Sequence, residues 1–591
     1  MARIGIAPYI SEMGSRFQHW EPRSGASGHS GYSAHSGHSP HAPNLARPET
    51  IEGLRQIILS NRAFEAVDRL EYGDHGLVPV MESLLAAIKG GKRIALYSDY
   101  DVDGTMSCVS WIWFLQALGY SNYVSYIPCR FSEGYGVNLG AVKHLVDNEK
   151  ADLIITMDTG ITANEEASWC RERGVTFICT DHHVIQPTKM PDCLILNPKQ
   201  HPDPAYQELC GCGITFVLLR KLAAHFPELT QGQPNGAHPV WTDLLALAGM
   251  ATICDVVPLN GVNHTLARSG VRALMRSQRP VLKRLREAAA VSEDGDEKDV
   301  GFRLGPRINA VGRLEHAELV VKAFLDDDPE PLVLHMGTCN ERRKIIQAGI
   351  VNEARELAKE AVLRGEPILF LGGDWHPGVV GIAASKLAEE FWRPTWLFQR
   401  GADGTCKGSA RTIPGFNVTA AMASCGELFK KFGGHAAAGG YTFDVSNEAH
   451  LRSALIDHAA ELQARTPAMW ESRLGFDCEI PAGLLSLEVT GLLDELKPFG
   501  HGFEEPRFVV EAPVAEVRYF YDKVTGNPKH TAVFVTTETP RGKSREKILF
   551  FNDVIQTLKP GMTSRFVVSC SRNTWRGTTS LSLMGHDYSG V

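Results

Sequence analysis

The residues able to do chemistry in this chain fall where apolar runs stop. Arg93-Ile94-Ala95-Leu96-Tyr97-Ser98 leads straight into Asp99-Tyr100-Asp101-Val102-Asp103-Gly104, with aspartates at alternate positions. The run 151–157 stops at Asp158-Thr159-Gly160, the run 175–180 stops at Asp181-His182-His183, and Asp255 stands inside the apolar stretch Ile253-Cys254-Asp255-Val256-Val257. Crowded carboxylates repel one another and disfavour their own ionisation. A divalent cation is the usual reason to gather them, and hard oxygen ligands suit Mg²⁺ or Mn²⁺. An EF-hand loop also opens on spaced acids, but it closes on a bidentate Glu, and here Thr, Met, Ser, Cys, Val and Ser follow Gly104. That chemistry is excluded. A lone Asp at a strand end serves equally well as a helix cap, and an isolated histidine pair is more often a surface group. Three such ends together favour metal, with one of His182 and His183 as a ligand. Asp255 needs either a metal or a cap, since an unpaired buried carboxylate is costly.

These residues need elements that bring them to one edge. Each run reads as a buried strand, and each is followed by a helical segment, so the alternation predicts an α/β fold with a parallel, doubly wound sheet. In such sheets the carboxyl ends of the strands open into the ligand crevice. The segment Arg130-Phe131-Ser132-Glu133-Gly134-Tyr135-Gly136 reads as a loop over that crevice. Cys210 and Cys212, flanking a glycine, read as packing residues.

A chain of 591 residues with 43% hydrophobic content builds several domains. The net charge of −8 excludes a surface that is basic throughout, so any anionic ligand is held by a local patch or through metal. Thirteen cysteines without a repeated CxxC pair point to reduced thiols, and neither a membrane-length apolar segment nor a secretion signal is visible, so the expected compartment is the cytoplasm. The stretch from Gly14 to Ala46, rich in Ser, Gly, His and Pro, predicts disorder, and residues 1–50 are read as a disordered tail. Short β-rich segments after about Arg473, interleaved with Tyr519, Tyr521, Lys523, Lys529, Arg541, Lys543, Arg545, Lys547, Trp575 and Arg576, fit a barrel that tracks phosphates and stacks bases.

The acidic motifs together resemble the four metal motifs of the DHH phosphoesterase superfamily. Ile127-Pro128-Cys129-Arg130-Phe131 with Gly134-Tyr135-Gly136, Gly305-Pro306-Arg307-Ile308-Asn309-Ala310-Val311-Gly312-Arg313, Gly378-Val379-Val380-Gly381 and Gly433-Gly434-His435-Ala436 are similar to the bacterial single-strand-specific exonuclease family within it. The resemblance runs from about Ile51 onward. It implies a DHH catalytic domain over 51–330, a connecting helix over 331–365, a second α/β (DHHA1-type) lobe over 366–465 and a C-terminal OB-fold β-barrel over 470–591. It also implies two divalent ions, Mn²⁺ or Mg²⁺. Asp158 would bridge them, Asp103, His182 and Asp255 would complete one site, Asp101 with Asp99 the other, and His183 would assist catalysis. Where the superfamily often supplies a histidine, Tyr97 stands here, and Phe503 replaces a usual asparagine. Arg130, Arg307, Ser409 and Arg411 match positions that hold the 5′ phosphate and adjacent backbone, and Asn309, Arg313, Gly434 and His435 lie in the same substrate motifs. The implied activity is 5′–3′ hydrolysis of single-stranded DNA to mononucleotides by a cytoplasmic monomer, served by a single-strand-binding protein and a helicase. The competing readings are a DHH nanoRNase or cyclic-dinucleotide phosphodiesterase, an inorganic pyrophosphatase and a non-catalytic strand-binding protein.

Overall fold

The computed structural model describes residues 17–23, 47–64, 67, 70–230, 239–523, 525–539, 542–575 and 577–590. The chain falls into two compact units, one formed by Phe64–Arg343 with Lys497–Glu504, the other by Met1–Ala63, Lys344–Leu496 and Glu505–Val591.

The first unit is built on a five-stranded, all-parallel sheet of β1 (Ile94–Ser98), β2 (Tyr123–Tyr126), β3 (Leu153–Met157), β4 (Thr176–Thr180) and β5 (Leu194–Leu196), in the order β2-β1-β3-β4-β5. Strands β1 and β3 are buried along their whole length, which is why they read as continuous apolar runs instead of alternating ones. Helices α1 (Val102–Ala117), α2 (Gly211–Ala223) and α3 (Val240–Cys254) pack in the same core. In α1 every residue from Val102 to Leu115 is buried, matching a sequence apolar on all faces. The strand order reverses between β1 and β3, the position where doubly wound sheets open a crevice at their carboxyl ends. The register pairs Ser98 with Met157, Met157 with Thr180, and Thr180 with Leu196, so the strands end level. The next amides keep that level: Asp99, Asp158 and Asp181 donate to the carbonyls of Met157, Thr180 and Leu196 at 3.3, 3.0 and 3.2 Å.

Two further helices matter for the site, α4 (Gly305–Leu314) and the long α5 (Glu330–Leu363), within which the division between the units falls. The returning segment 497–504 seats Phe503, fully buried, against Phe64 and His264 with ring centroids at 4.6 and 5.1 Å. Its apolar ring fills an aromatic cluster there.

In the second unit β6 (Leu369–Gly373), β7 (Thr395–Arg400), β8 (Thr405–Arg411), β9 (Phe429–Gly434) and β10 (Ala438–Asp444) form a mixed sheet in the order β9-β10-β8-β7-β6. The barrel follows with β11 (Phe508–Tyr521), β12 (Pro528–Thr539), β13 (Gly542–Phe550), β14 (Thr563–Trp575) and β15 (Thr578–Gly590). It closes because β11 serves two partners, β14 along Phe508–Pro513 and β12 from Val514 onward. Closure removes the sheet's free edges.

The disordered tail expected over 1–50 gives way at residues 17–23. A strand at His19–Pro22 pairs in parallel with Arg473–Phe476. Phe17 and Trp20 pack on Val509 and Val567, and Trp20 Nε1 donates to Asp587 Oδ2 at 2.6 Å. Averaging composition over the low-complexity stretch hid these two aromatic anchors. The remainder of the Gly14–Ala46 stretch lies outside the described residues. Next to this strand the buried Asp477 carboxylate accepts from Arg23 at 2.9 Å, from the Arg507 amide at 3.0 Å, and from Arg62. Burying that charge is tolerable only with such a full set of donors.

On the barrel, two of the basic residues singled out in the sequence, Lys529 and Arg545, are paired with acids. Lys529 lies 2.9 Å from Asp522, and Arg545 with Arg518 share Glu516 while flanking the Phe534 ring at 4.6 and 4.8 Å. Arg541, Arg576 and the Trp575 side chain lie outside the described residues. Among the described residues, no helix is long and apolar enough to cross a membrane.

Candidate metal and phosphodiester site

Asp101 caps α1: its Oδ1 accepts from the amides of Asp103 and Gly104 at 2.9 and 3.2 Å, leaving the other oxygen available. Gly104 is required at this turn, since a Cβ there would lie 2.4 Å from the Asp99 carbonyl oxygen. Asp103 turns inward, where the first turn of α2 holds both its oxygens. The Gly211 amide donates to Oδ2 at 2.6 Å and the Cys212 amide to Oδ1 at 2.8 Å. A helix N-terminus favours negative charge in this way. Cys210 and Cys212 are themselves buried, and it is the backbone of their motif that serves the site, which side-chain reading of the sequence missed.

Asp158 follows β3 with φ +59, and Val256, directly after Asp255, also has φ +59. Left-handed backbone is strained for a non-glycine and most of all for a β-branched residue, and such strain concentrates at functional sites. His182 Nε2 lies 3.1 Å from Asp158 Oδ1, 3.5 Å from Asp255 Oδ2 and 3.8 Å from Asp103 Oδ2. Donor atoms of Asp103, His182 and Asp255 converge within 4.8 Å of one another, as do those of Asp99, Asp101 and Asp158, and those of Asp158, His182 and His183. Asp158 thus belongs to the second group while touching the histidine of the first.

The electrostatics call for positive charge. Burial, then the neighbouring carboxylates, push Asp99, Asp158 and Asp255 well above the ordinary carboxylate range. Burial and Asp101 push Asp103 up to about 6, against the pull of the α2 amides. The buried Asp99 Oδ1 has no hydrogen-bond donor among the described residues. An all-oxygen set with one imidazole, arranged as two overlapping groups, fits a pair of divalent cations.

Asp181 has a different task. It accepts from His183 Nδ1 at 2.7 Å and from the amides of His183 and Ile161 at 3.1 and 2.9 Å. Although burial opposes it, the His183 hydrogen bond holds Asp181 below its usual range, and the same contact raises His183 against its own burial. His183 Nε2 meets the Tyr135 hydroxyl at 3.0 Å. The cleft is lined by Asp99, Asp101, Asp158, His183 and Asp255 together with the basic side chains of Arg130 and Arg313. Arg130 lies over the Tyr100 ring at 4.6 Å, and Asn309 accepts from the Val102 amide at 3.1 Å, tying α4 to the start of α1. Arg307 is turned toward the backbone carbonyls of Arg303 and Ala288 and does not line the cleft.

Tyr97 also stays out of the cleft. Its hydroxyl donates to the Gly136 carbonyl at 3.0 Å, while Glu133 accepts from the Cys129 amide, the Tyr126 hydroxyl and Asn138 at 2.7, 2.7 and 3.0 Å. These contacts fix the loop carrying Arg130 and Tyr135. The residue types of Glu133 and Tyr135 alone carry no signal for these contacts. In the second unit, Arg411 donates to Ser409 Oγ at 2.6 Å, and Gly434, with φ +138, opens the turn in which the His435 amide donates to Ala438 at 2.8 Å. A Cβ on Gly434 would meet the Ala438 oxygen at 2.4 Å. Ser409 and Arg411 lie on β8, and Gly434 and His435 stand at the turn from β9 into β10, the strand that pairs with β8.

The fold and the acidic crevice define a phosphoesterase of the DHH type: residues 93–249 match the DHH family N-terminal domain, 365–461 the DHHA1 domain and 476–587 the RecJ OB domain. The chain is 33% identical over 87% of its length to the single-stranded-DNA-specific exonuclease RecJ of Bacillus subtilis, and spans 63% of that protein. It is 32% identical over 78% of its length to the exonuclease of the same name from Salmonella typhimurium, covering 84% of it. The crystal structure of RecJ with Mn²⁺ from Thermus thermophilus superposes with a TM-score of 0.77 at 27% identity, over 91% of this chain and 76% of that one. The chain belongs to the RecJ family of single-stranded-DNA-specific exonucleases.

Proposed function

We propose that this protein hydrolyses single-stranded DNA from its 5′ end, releasing 5′-mononucleotides, at a pair of Mn²⁺ or Mg²⁺ ions held by Asp99, Asp101, Asp103, Asp158, His182 and Asp255. The observation that carries the reading is the convergence of two donor groups on Asp158 at the reversal point of the sheet, beside Arg130 and Arg313. The Mn²⁺ complex of the Thermus relative supports the metal, and the names of the relatives support the substrate.

When bound, the cations supply an activated water and polarise the phosphoryl group. The residues do the rest. Arg130 and Arg313 bind the non-bridging phosphate oxygens, a task suited to guanidinium. Asp103, fixed by two amides, and Asp158, fixed by its strained backbone, keep their carboxylates in place without the cost of reorganisation. Asp181 keeps the Nδ1 proton on His183, which presents Nε2 to the cleft as a hydrogen-bonding and proton-transfer group. In the second unit Ser409, Arg411, Gly434 and His435 bind DNA backbone, and Asn309 positions the start of α1. The barrel binds single strand through its exposed aromatic and basic residues. All thirteen cysteines are free thiols, which supports a reducing cytoplasm. The reading includes a monomer acting on strands opened by a helicase and coated by a single-strand-binding protein.

The test is product analysis on a 5′-phosphorylated, 3′-labelled long single strand beside the matching blunt duplex, with Mn²⁺ and with EDTA. Mononucleotides from the 5′ end of the single strand alone, and none with EDTA, are the expected result. An inert long strand with rapid cleavage of di- to pentanucleotides would overturn it in favour of a nanoRNase.

Metal removal also has a signed pH dependence. Asp99, Asp103, Asp158 and Asp255 have raised folded-state pKa values, so the folded chain holds protons that the unfolded chain releases. Stability from that source is complete below the ordinary carboxylate pKa of about 4 and is lost as pH rises through the folded values. For Asp103 the window closes at about 6, and the other three carry the same sign. The melting temperature of chelated protein should therefore fall as pH rises, and its deficit relative to Mn²⁺-loaded protein should widen between about pH 4 and 6. A deficit constant across that range would mean that the cluster does not titrate there.

A further inference from the structure

Among the described residues, a second group of metal-ligating side chains lies away from the strand-end cluster. Glu315 caps the carboxyl end of α4, and His335 and Cys339 stand one turn apart on the part of α5 that belongs to the first unit. Their i, i+4 spacing puts both on one face of the helix. His335 Nε2 lies 2.8 Å from Glu315 Oε2 and 3.5 Å from Cys339 Sγ, which lies 3.6 Å from Glu315 Oε1. All three donors fall within 4.8 Å of one another.

A tetrahedral zinc ion with its usual bond lengths sets N···S and S···O edges of about 3.5 Å, so the two sulfur edges already have the separations a shared ion requires. The donor set of thiolate, imidazole and carboxylate suits a borderline cation and differs from the hard oxygen set of the catalytic crevice. Access is open on one side and closed on the other: the His335 and Glu315 side chains are 43% and 32% exposed, whereas Cys339 is buried. A hydrogen bond between Glu315 and His335 alone has no need of a thiol turned against both.

We propose that Glu315, His335 and Cys339 form a mononuclear site for Zn²⁺, with Sγ, Nε2 and a carboxylate oxygen as ligands and water in the fourth position. The Cys339 thiol gives up its proton to solvent as the sulfur–metal bond forms. Burial and Glu315 push the free thiol up to about 11, while Arg342 nearby favours the thiolate. The ion would fasten α5 to the end of α4, two residues after the cleft-lining Arg313.

The test uses full-length protein, stripped with chelator, reloaded with Zn²⁺, and dialysed against Mn²⁺ buffer before metal analysis. One zinc per chain is expected in the wild type and none in Cys339→Ser or in His335→Ala, an exposed position whose loss the fold tolerates. With Co²⁺ in place of Zn²⁺, the wild type should show a thiolate-to-metal charge-transfer band in the near ultraviolet that Cys339→Ser lacks. Wild-type protein retaining no zinc, or Cys339→Ser retaining the same zinc and the same band, would overturn the proposal.

Discussion

Replacing Asp158 with asparagine should lower the rate of single-strand hydrolysis by about four orders of magnitude, or roughly 5 kcal/mol of transition-state stabilisation. Asp158 belongs to one donor group with Asp99 and Asp101 and to another with His182 and His183, so losing its charge weakens both proposed metal positions at once. The fold should survive. The carboxylate is buried and pushed upward by burial and by Asp103, Asp101, Asp255 and Asp99, so in metal-free protein its removal relieves repulsion. Asparagine also tolerates the left-handed backbone at this position better than alanine does. The chelated variant should accordingly melt no lower than the chelated wild type. Rates within tenfold of wild type, with normal Mn²⁺ content, would remove Asp158 from the bridging role.

Gly211→Ala should be almost as damaging, although it alters no charged group. An added Cβ would stand 2.7 Å from Asp158 Cβ and 2.9 Å from Asp103 Oδ2. Gly211 lies in the first turn of α2 with no left-handed requirement, and alanine is a better helix former, so the whole effect is steric. Displacing Asp103 breaks its two amide contacts and shifts a ligand by a fraction of an ångström or more. A fall in turnover of about 100-fold, with about 1–3 kcal/mol of destabilisation from overpacking, is expected. Gly213→Ala is the control: its Cβ would meet the flexible ends of Leu209 and Leu266 at 3.2 and 3.4 Å, which can yield. Turnover and thermal unfolding of the two variants should separate clearly. Equal activities would mean that the α2 amides do not position Asp103.

The α/β class and the strand ends were legible because buried parallel strands leave uninterrupted apolar runs, and the acids stand directly after them. Reading those ends as level required only the parallel topology. The support for Asp103 was not legible, since backbone amides of Gly211 and Cys212 carry no side-chain signature and lie over a hundred residues away. The division of labour at Asp181-His182-His183 was likewise hidden. Adjacent residues of one motif face different partners, and only the fold shows Asp181 serving His183 while His182 faces the other acids. Tyr97 and Glu133 belong to the same class of omission: one sits on a buried strand and the other in a loop, and only in three dimensions does either meet residues 129–138. The aromatic anchors Phe17 and Trp20 were lost to averaging over their low-complexity neighbours.

The pairing of His19–Pro22 with Arg473–Phe476 has a consequence for biosynthesis. The Gln18 amide bonds to Ser472, 454 positions further along the chain, whereas nearly all of the first unit is one uninterrupted length of chain. Domains fold largely in the order they leave the ribosome, at about 5–20 residues per second, so the amino-terminal strand waits roughly 20–90 s for its partner. During that interval the parallel sheet of the first unit can fold around its own core. The first strand among the described residues is thus among the last to find its place, and its unpaired edge needs protection until then.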